Sequence, residues 1–229
     1  MVTTMMHGSA APSPLTEAEA ATIEARVKAL EARAGTQVVA AVVERSDVYH
    51  GLRWRAFAIA ASLAGLAVVL LDELRPAWPA EHTVLLALAL VLGAGAAAAL
   101  AATVLPGFAR LFLEPLRADA EVQRRAESLF LKQELFGTRD RDALLILASS
   151  FERRSAVHAD RGLCERVPDD AWTMIAARMN PLLAAGRTSD ALLAGLDAAE
   201  TLLAGHPASP GGRAANELSD RPIVAEASR

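Results

Sequence analysis

Six charged residues crowd into two short stretches, Arg139-Asp140-Arg141-Asp142 and Asp160-Arg161. Asp142 opens the apolar run Ala143–Ala148, which reads as a buried strand. After a short polar turn at 151–154, Ser155–Ala159 alternates and reads as an antiparallel partner nearer a sheet edge. In such a hairpin the start of one strand lies beside the end of the other, so Asp140, Asp142 and Asp160 are expected to converge. Three carboxylates can hold calcium or another divalent cation, or position a water for hydrolysis. A calcium site, however, takes about six to eight oxygens, and the interleaved arginines favour a solvated salt-bridge network instead.

Other chemistries have less support. Cys164 is the single cysteine, which excludes an intramolecular disulfide and the cysteine-rich zinc patterns. His158 is near it in sequence, but no oriented triad follows, and Cys164 reads as a small buried or half-buried side chain. The five histidines are scattered without helical metal-ligand spacing. Glycine-rich phosphate loops are missing from the sequence. A net charge of -4 and 4% aromatic residues argue against nucleic acid as a partner.

The elements that position these residues follow from periodicity. Leu15–Ala34 reads as a helix, with Thr16 and Glu19 in capping-box spacing, Gly35 at the stop, and Ile23, Val27 and Leu30 on one face. Thr36–Glu44 reads as a strand covered on both faces. Ala118–Phe136 is expected to be amphipathic and helical. Pro168, Asp169 and Asp170 suit a helix start, and Pro181 is expected to kink or end that helix. Thr188–Ala204 reads as the last helix. Two buried strands separated by a helix imply a parallel pair joined by a crossover.

Apolar residues make up 53% of the chain and charged residues 22%, with a mean hydropathy of +0.27, so the two kinds must be segregated. Ala56–Leu71 and Thr83–Ala109 carry no charge. Roughly 20 helical residues cross a bilayer core of ~30 Å, so these segments, near 54–72 and 83–105, read as a transmembrane hairpin. Gly93 and Gly95 offer a face for close approach. Trp54 and Trp78 suit the interfaces, and Pro76 and Pro79 suit the short connection. Arg45, Arg53 and Arg55 precede the hairpin and Arg110, Arg117, Arg124 and Arg125 follow it, whereas the connection holds Arg75. The positive-inside rule then places both termini in the cytoplasm. Met1–Pro14 lacks the basic and apolar regions of a signal peptide, so targeting is expected from the first hydrophobic helix. The expected organisation is a disordered N-terminus at 1–14, a first soluble part at 15–50, the hairpin at 53–107, a second soluble part at 117–205 and a disordered tail at 206–229.

Four stretches in this order resemble the TPM domain family: Gly35-Thr36-Gln37-Val38-Val39-Ala40-Ala41-Val42-Val43, Asp142-Ala143-Leu144-Leu145-Ile146-Leu147, Asp160-Arg161-Gly162-Leu163, and Asn180-Pro181-Leu182 with Gly186-Arg187. The resemblance spans about Leu15–Glu44 and Ala120–Gly205. It implies an α/β fold, a small TPM-like α/β/α sandwich, here split by the two-helix transmembrane hairpin. It also implies one of several roles: weak acid phosphatase activity, calcium binding, or assembly and quality control of membrane complexes. Ala143 and Arg161 replace the family's Asn and Tyr at those positions. The expected function is a membrane-anchored module in the bilayer, in a cell inner membrane, that binds another membrane protein; a metal-assisted phosphatase using Asp140, Asp142 and Asp160 is the alternative.

Overall fold

A computed structural model describes residues 15–46, 49, 51–74, 80–206 and 218–225. The chain divides into two compact units, residues 1–47 with 118–229, and residues 48–117.

The first unit begins with α1 (Glu17–Ala34). Its capping box is formed: the Thr16 N–H donates to Glu19 Oε2 at 2.8 Å and the Glu19 N–H to Thr16 Oγ1 at 3.3 Å. Gly35 ends the helix at φ 68°, a left-handed conformation suited to glycine. Strand β1 (Gln37–Val43) follows, buried along its whole length.

In the second unit, α2 (Gly51–Leu74) and α3 (Ala80–Val104) are antiparallel neighbours in sequence and pack on each other. At about 1.5 Å per residue both are long enough to span a bilayer core. Apart from Leu52 and Ala56 at the start of α2, their apolar side chains are largely exposed: no residue of the most apolar 18-residue stretch of α2, and 6% of that within Val84–Val104, is buried, which is unlike a core helix. Gly95 approaches Phe57 so closely that a Cβ would sit 2.7 Å from its ring, whereas a Cβ added at Gly93 would meet nothing within 4 Å. The expected close face therefore holds at Gly95 and fails at Gly93. The extended Leu105 before Pro106 breaks the helix, as a residue preceding proline tends to do. A short α4 (Pro106–Ala109) and a 3-10 turn, Arg110–Phe112, complete the segment. Trp78, Arg75, Pro76 and Pro79 lie outside the described residues, as do residues 1–14.

The chain re-enters the soluble unit through α5 (Pro115–Lys132) and a 3-10 turn, Leu135–Gly137, where one helix to Phe136 was expected. Strands β2 (Ala143–Ser149) and β3 (Arg154–Ala159) form the anticipated antiparallel hairpin. After them come α6 (Arg161–Cys164), a 3-10 turn at Asp169–Ala171, α7 (Trp172–Ala184) and α8 (Thr188–Ala204). Strand β4 (Ile223–Ala225) is last. The sheet order is β3-β2-β1-β4, with β1 parallel to both β2 and β4.

Alternation along the buried strands builds two cores. Val38, Ala40, Val42, Leu144, Ile146 and Ala148 pack with α1, α7 and α8. Val39, Ala41, Val43, Ala143, Leu145 and Leu147 pack with α5. This is the α/β/α sandwich, with the hairpin inserted in the crossover from β1 to β2.

Two expectations are corrected. Residues 218–225 belong to the fold rather than to a disordered tail: β4 covers the backbone edge of β1 at Ala41–Val43, and Ile223 and Ala225 join the α5-side core. Pro181 does not end α7, which runs on to Ala184. Burial of Met179 and Leu183 on either side of it offsets the one missing backbone donor.

Candidate functional site

The β2–β3 register pairs Leu144 with Ala159, and the Asp160 N–H donates to the Ala143 carbonyl at 2.8 Å. Asp142 and Asp160 thus flank neighbouring strand ends, as the hairpin predicts. Each is committed to an arginine. Arg141 forks onto Asp160, with Nε at 2.9 Å from Oδ2 and Nη2 at 3.0 Å from Oδ1. Arg166 donates to Asp142 Oδ1, and the Thr36 hydroxyl donates to Oδ2 at 3.3 Å. Asp160 Oδ1 also accepts the Arg161 N–H at 2.7 Å, capping α6. Asp140 is exposed and adds a like charge near Asp142.

Electrostatics follow the geometry. Burial pushes the Asp142 carboxyl above the ordinary aspartate range and Asp140 adds to this, while Arg166 and Thr36 pull it back. Gly162 seats the arrangement: its N–H donates to the Arg141 carbonyl at 2.9 Å, and a Cβ there would lie 2.5 Å from the Asp140 carbonyl oxygen. The close approach, rather than a special turn conformation, explains this glycine. Arg141 holds φ 52°, a left-handed conformation that side chains seldom adopt.

A shared cation does not fit this donor set. Calcium or another divalent ion would have to displace guanidinium groups from both buried aspartates. Among the described residues no group of three His, Cys, Asp or Glu is placed to hold a metal ion. Of the expected set Asp140, Asp142 and Asp160, the last two form arginine-aspartate pairs and Asp140 is an exposed neighbour. A groove between α7 and α8, lined by Met174, Arg178, Ala194, Asp197 and Thr201, includes none of the three aspartates.

Cys164 is exposed, not buried. Its thiol donates to the Ala159 carbonyl at 3.5 Å. Partial desolvation of the thiol, then Asp169 and Asp160, push its pKa up, the opposite of an activated thiolate. The His158 ring stands edge-on to Phe130, with centroids 4.7 Å apart.

Sequence reasoning missed Arg166 and a second polar cluster at the C-terminal ends of β1 and β2. Here Glu152 accepts the Ser46 N–H at 2.9 Å and the Ser149 hydroxyl, and the Ser46 hydroxyl lies 3.1 Å from Ser149 Oγ. All three residues are buried. The turn at 151–154 holds Glu152, so a charged residue there is a buried clasp between two strand ends. Arg166 offered only the weak signal of a basic residue six positions beyond an N-cap aspartate.

The layers and mixed sheet define a three-layer α/β/α domain. Residues 110–202 match the TPM domain family, bearing out the resemblance for the part of the chain after the hairpin. The structure is similar to that of the BA42 protein from the psychrophilic bacterium Bizionia argentinensis, solved by NMR, with a TM-score of 0.55 and 13% sequence identity. That match covers 92% of this chain and 95% of the other, and at this identity it establishes the fold alone. No curated protein matches the sequence.

Proposed function

We propose that the chain is an integral membrane protein whose TPM-like soluble unit binds another membrane protein, serving the assembly or quality control of membrane complexes. One observation carries this proposal. The apolar hairpin is inserted between the two central, parallel strands of the sheet, so both halves of the soluble domain are tethered to the hairpin by the chain itself. A merely attached domain needs one anchor at one terminus; an insertion in the crossover restrains the whole domain at the bilayer. Arginine bias around the hairpin supports an inner membrane with both termini in the cytoplasm.

The chemistry of the aspartates agrees with a binding role, because Asp142 spends its oxygens on Arg166 and the Thr36 hydroxyl, and Asp160 on Arg141 and a backbone N–H. The test is affinity purification from mild detergent beside a phosphatase assay on wild type, Asp142→Ala and Asp160→Ala. A stable membrane-protein partner with no turnover is expected. Robust phosphate-ester hydrolysis lost in both folded variants would replace this function with a phosphatase.

A further inference from the structure

We infer that the arginine-bearing end of the hairpin is a binding site for anionic phospholipid headgroups, built by Arg53, Arg55, Arg110 and Arg117. This deepens the membrane assignment and rests on it. Arg53 and Arg55 lie in the first turns of α2, and Arg110 and Arg117 in the segment that follows α3. The two segments meet: Arg55 Nη2 lies 3.3 Å from Glu114 Oε2, and Arg55 and Arg117 line one small cavity with Tyr49, Leu52 and Leu113. Across residues 48–57 and 105–117 the sequence places four arginines against one acid, Glu114, so this end of the segment carries net positive charge. The other end of α2 finishes in the exposed acids Asp72 and Glu73.

Apolar side chains beside the arginines identify the occupant as lipid. Trp54, Leu111 and Leu116 are 71%, 75% and 80% exposed. A site for a free anion has no use for three large apolar side chains at its rim. At a bilayer surface they enter the boundary between headgroups and acyl chains, while the guanidinium groups fork onto phosphodiester oxygens. A zwitterionic headgroup carries a compensating cation, so the site selects lipids with net negative charge.

The test uses the full chain with Trp78→Phe and Trp172→Phe, leaving Trp54 as the reporter. It is reconstituted in phosphatidylcholine nanodiscs containing a minor fraction of brominated phosphatidylglycerol or, separately, brominated phosphatidylcholine. Brominated phosphatidylglycerol should quench Trp54 about threefold more strongly, and the preference should shrink in high salt. It should fall to near parity in R53Q/R55Q/R110Q/R117Q and survive in the corresponding fourfold lysine variant. Equal quenching by both lipids in the parent chain, or an unchanged preference in the glutamine variant, would overturn the site. Should the glutamine variant fail to reconstitute, the salt series on the parent decides, and a salt-independent preference rejects the site. Failure of the parent itself to enter nanodiscs would instead reject the membrane assignment and this site with it.

Discussion

Single residues set how tightly the soluble unit closes. Glu31 sits near the end of α1, where its Oε1 accepts the Val38 N–H at 2.7 Å and its carboxyl hydrogen-bonds the buried Asp220. Lys28 Nζ faces the same carboxylate at 3.9 Å. Burial chiefly, and then Asp220, push the Glu31 pKa up to about 7 against the opposing Val38 hydrogen bond. The folded state therefore binds this proton more tightly than the unfolded chain. The resulting stabilisation is complete below the unfolded value of 4.5 and is lost as pH rises through about 7. Glu31→Gln keeps the acceptor for Val38 and removes the titration. Thermal melts should show wild type losing on the order of 1 kcal/mol across that window while the variant stays nearly flat. Gly162→Ala tests the close approach to the 140–141 backbone and should cost about 2 kcal/mol in denaturant titrations. Glu152→Gln weakens the clasp on Ser46 and Ser149 and should cost about 1 to 2 kcal/mol by the same measurement.

At the scale of elements, the strands show how much the sheet depends on cover from both sides. Strand β1 carries no polar residue from Val38 to Val43 because α1, α7 and α8 pack on one face and α5 on the other. Alternation of polarity is lost, and only the apolar run is left as a signal. Strand β4 gave no such run: three residues following Pro222 are too few for a period, and their place is fixed by the free edge of β1. Deleting residues 207–229 should leave β1 as an edge strand. We expect stability to fall by about 1 to 2 kcal/mol and aggregation on heating to increase, both readable by calorimetry and light scattering. A truncated chain as stable and soluble as the parent would show that β4 contributes little to the sheet.

For the whole molecule, the division into two units makes a separable prediction. Each unit has its own internal packing, and the soluble unit possesses both cores. Replacing residues 48–117 by a flexible Gly-Ser linker should give a water-soluble protein that unfolds cooperatively, whereas the full chain should remain with membranes after alkaline carbonate extraction. Recovery of the full chain in the soluble fraction without detergent would reject the membrane assignment. Reporter fusions at both termini should give cytoplasmic signals, in keeping with the arginines that flank the hairpin. An external signal from the C-terminal fusion would reverse the orientation.

The division of labour between sequence and tertiary structure has a physical basis. Local chemistry was readable in advance. The Thr16–Glu19 capping box, the helix from Thr188 to Ala204, the apolar β1 and β2 and the two long apolar hairpin helices follow from backbone propensity and short-range hydrophobic period. Proximity of Asp142 to Asp160 was also legible, because a short hairpin fixes which strand ends meet. Residue partners at long sequence separation were not. Asp142 belongs with Thr36 and Arg166, Glu152 with Ser46, and Glu31 with Asp220, pairs separated by 24 to 189 positions and brought together only when the sheet closes. A carboxylate has the same sequence signature whether it meets a cation, an arginine or a hydroxyl. Its role is decided by which donors the tertiary fold brings within about 3 Å of its oxygens.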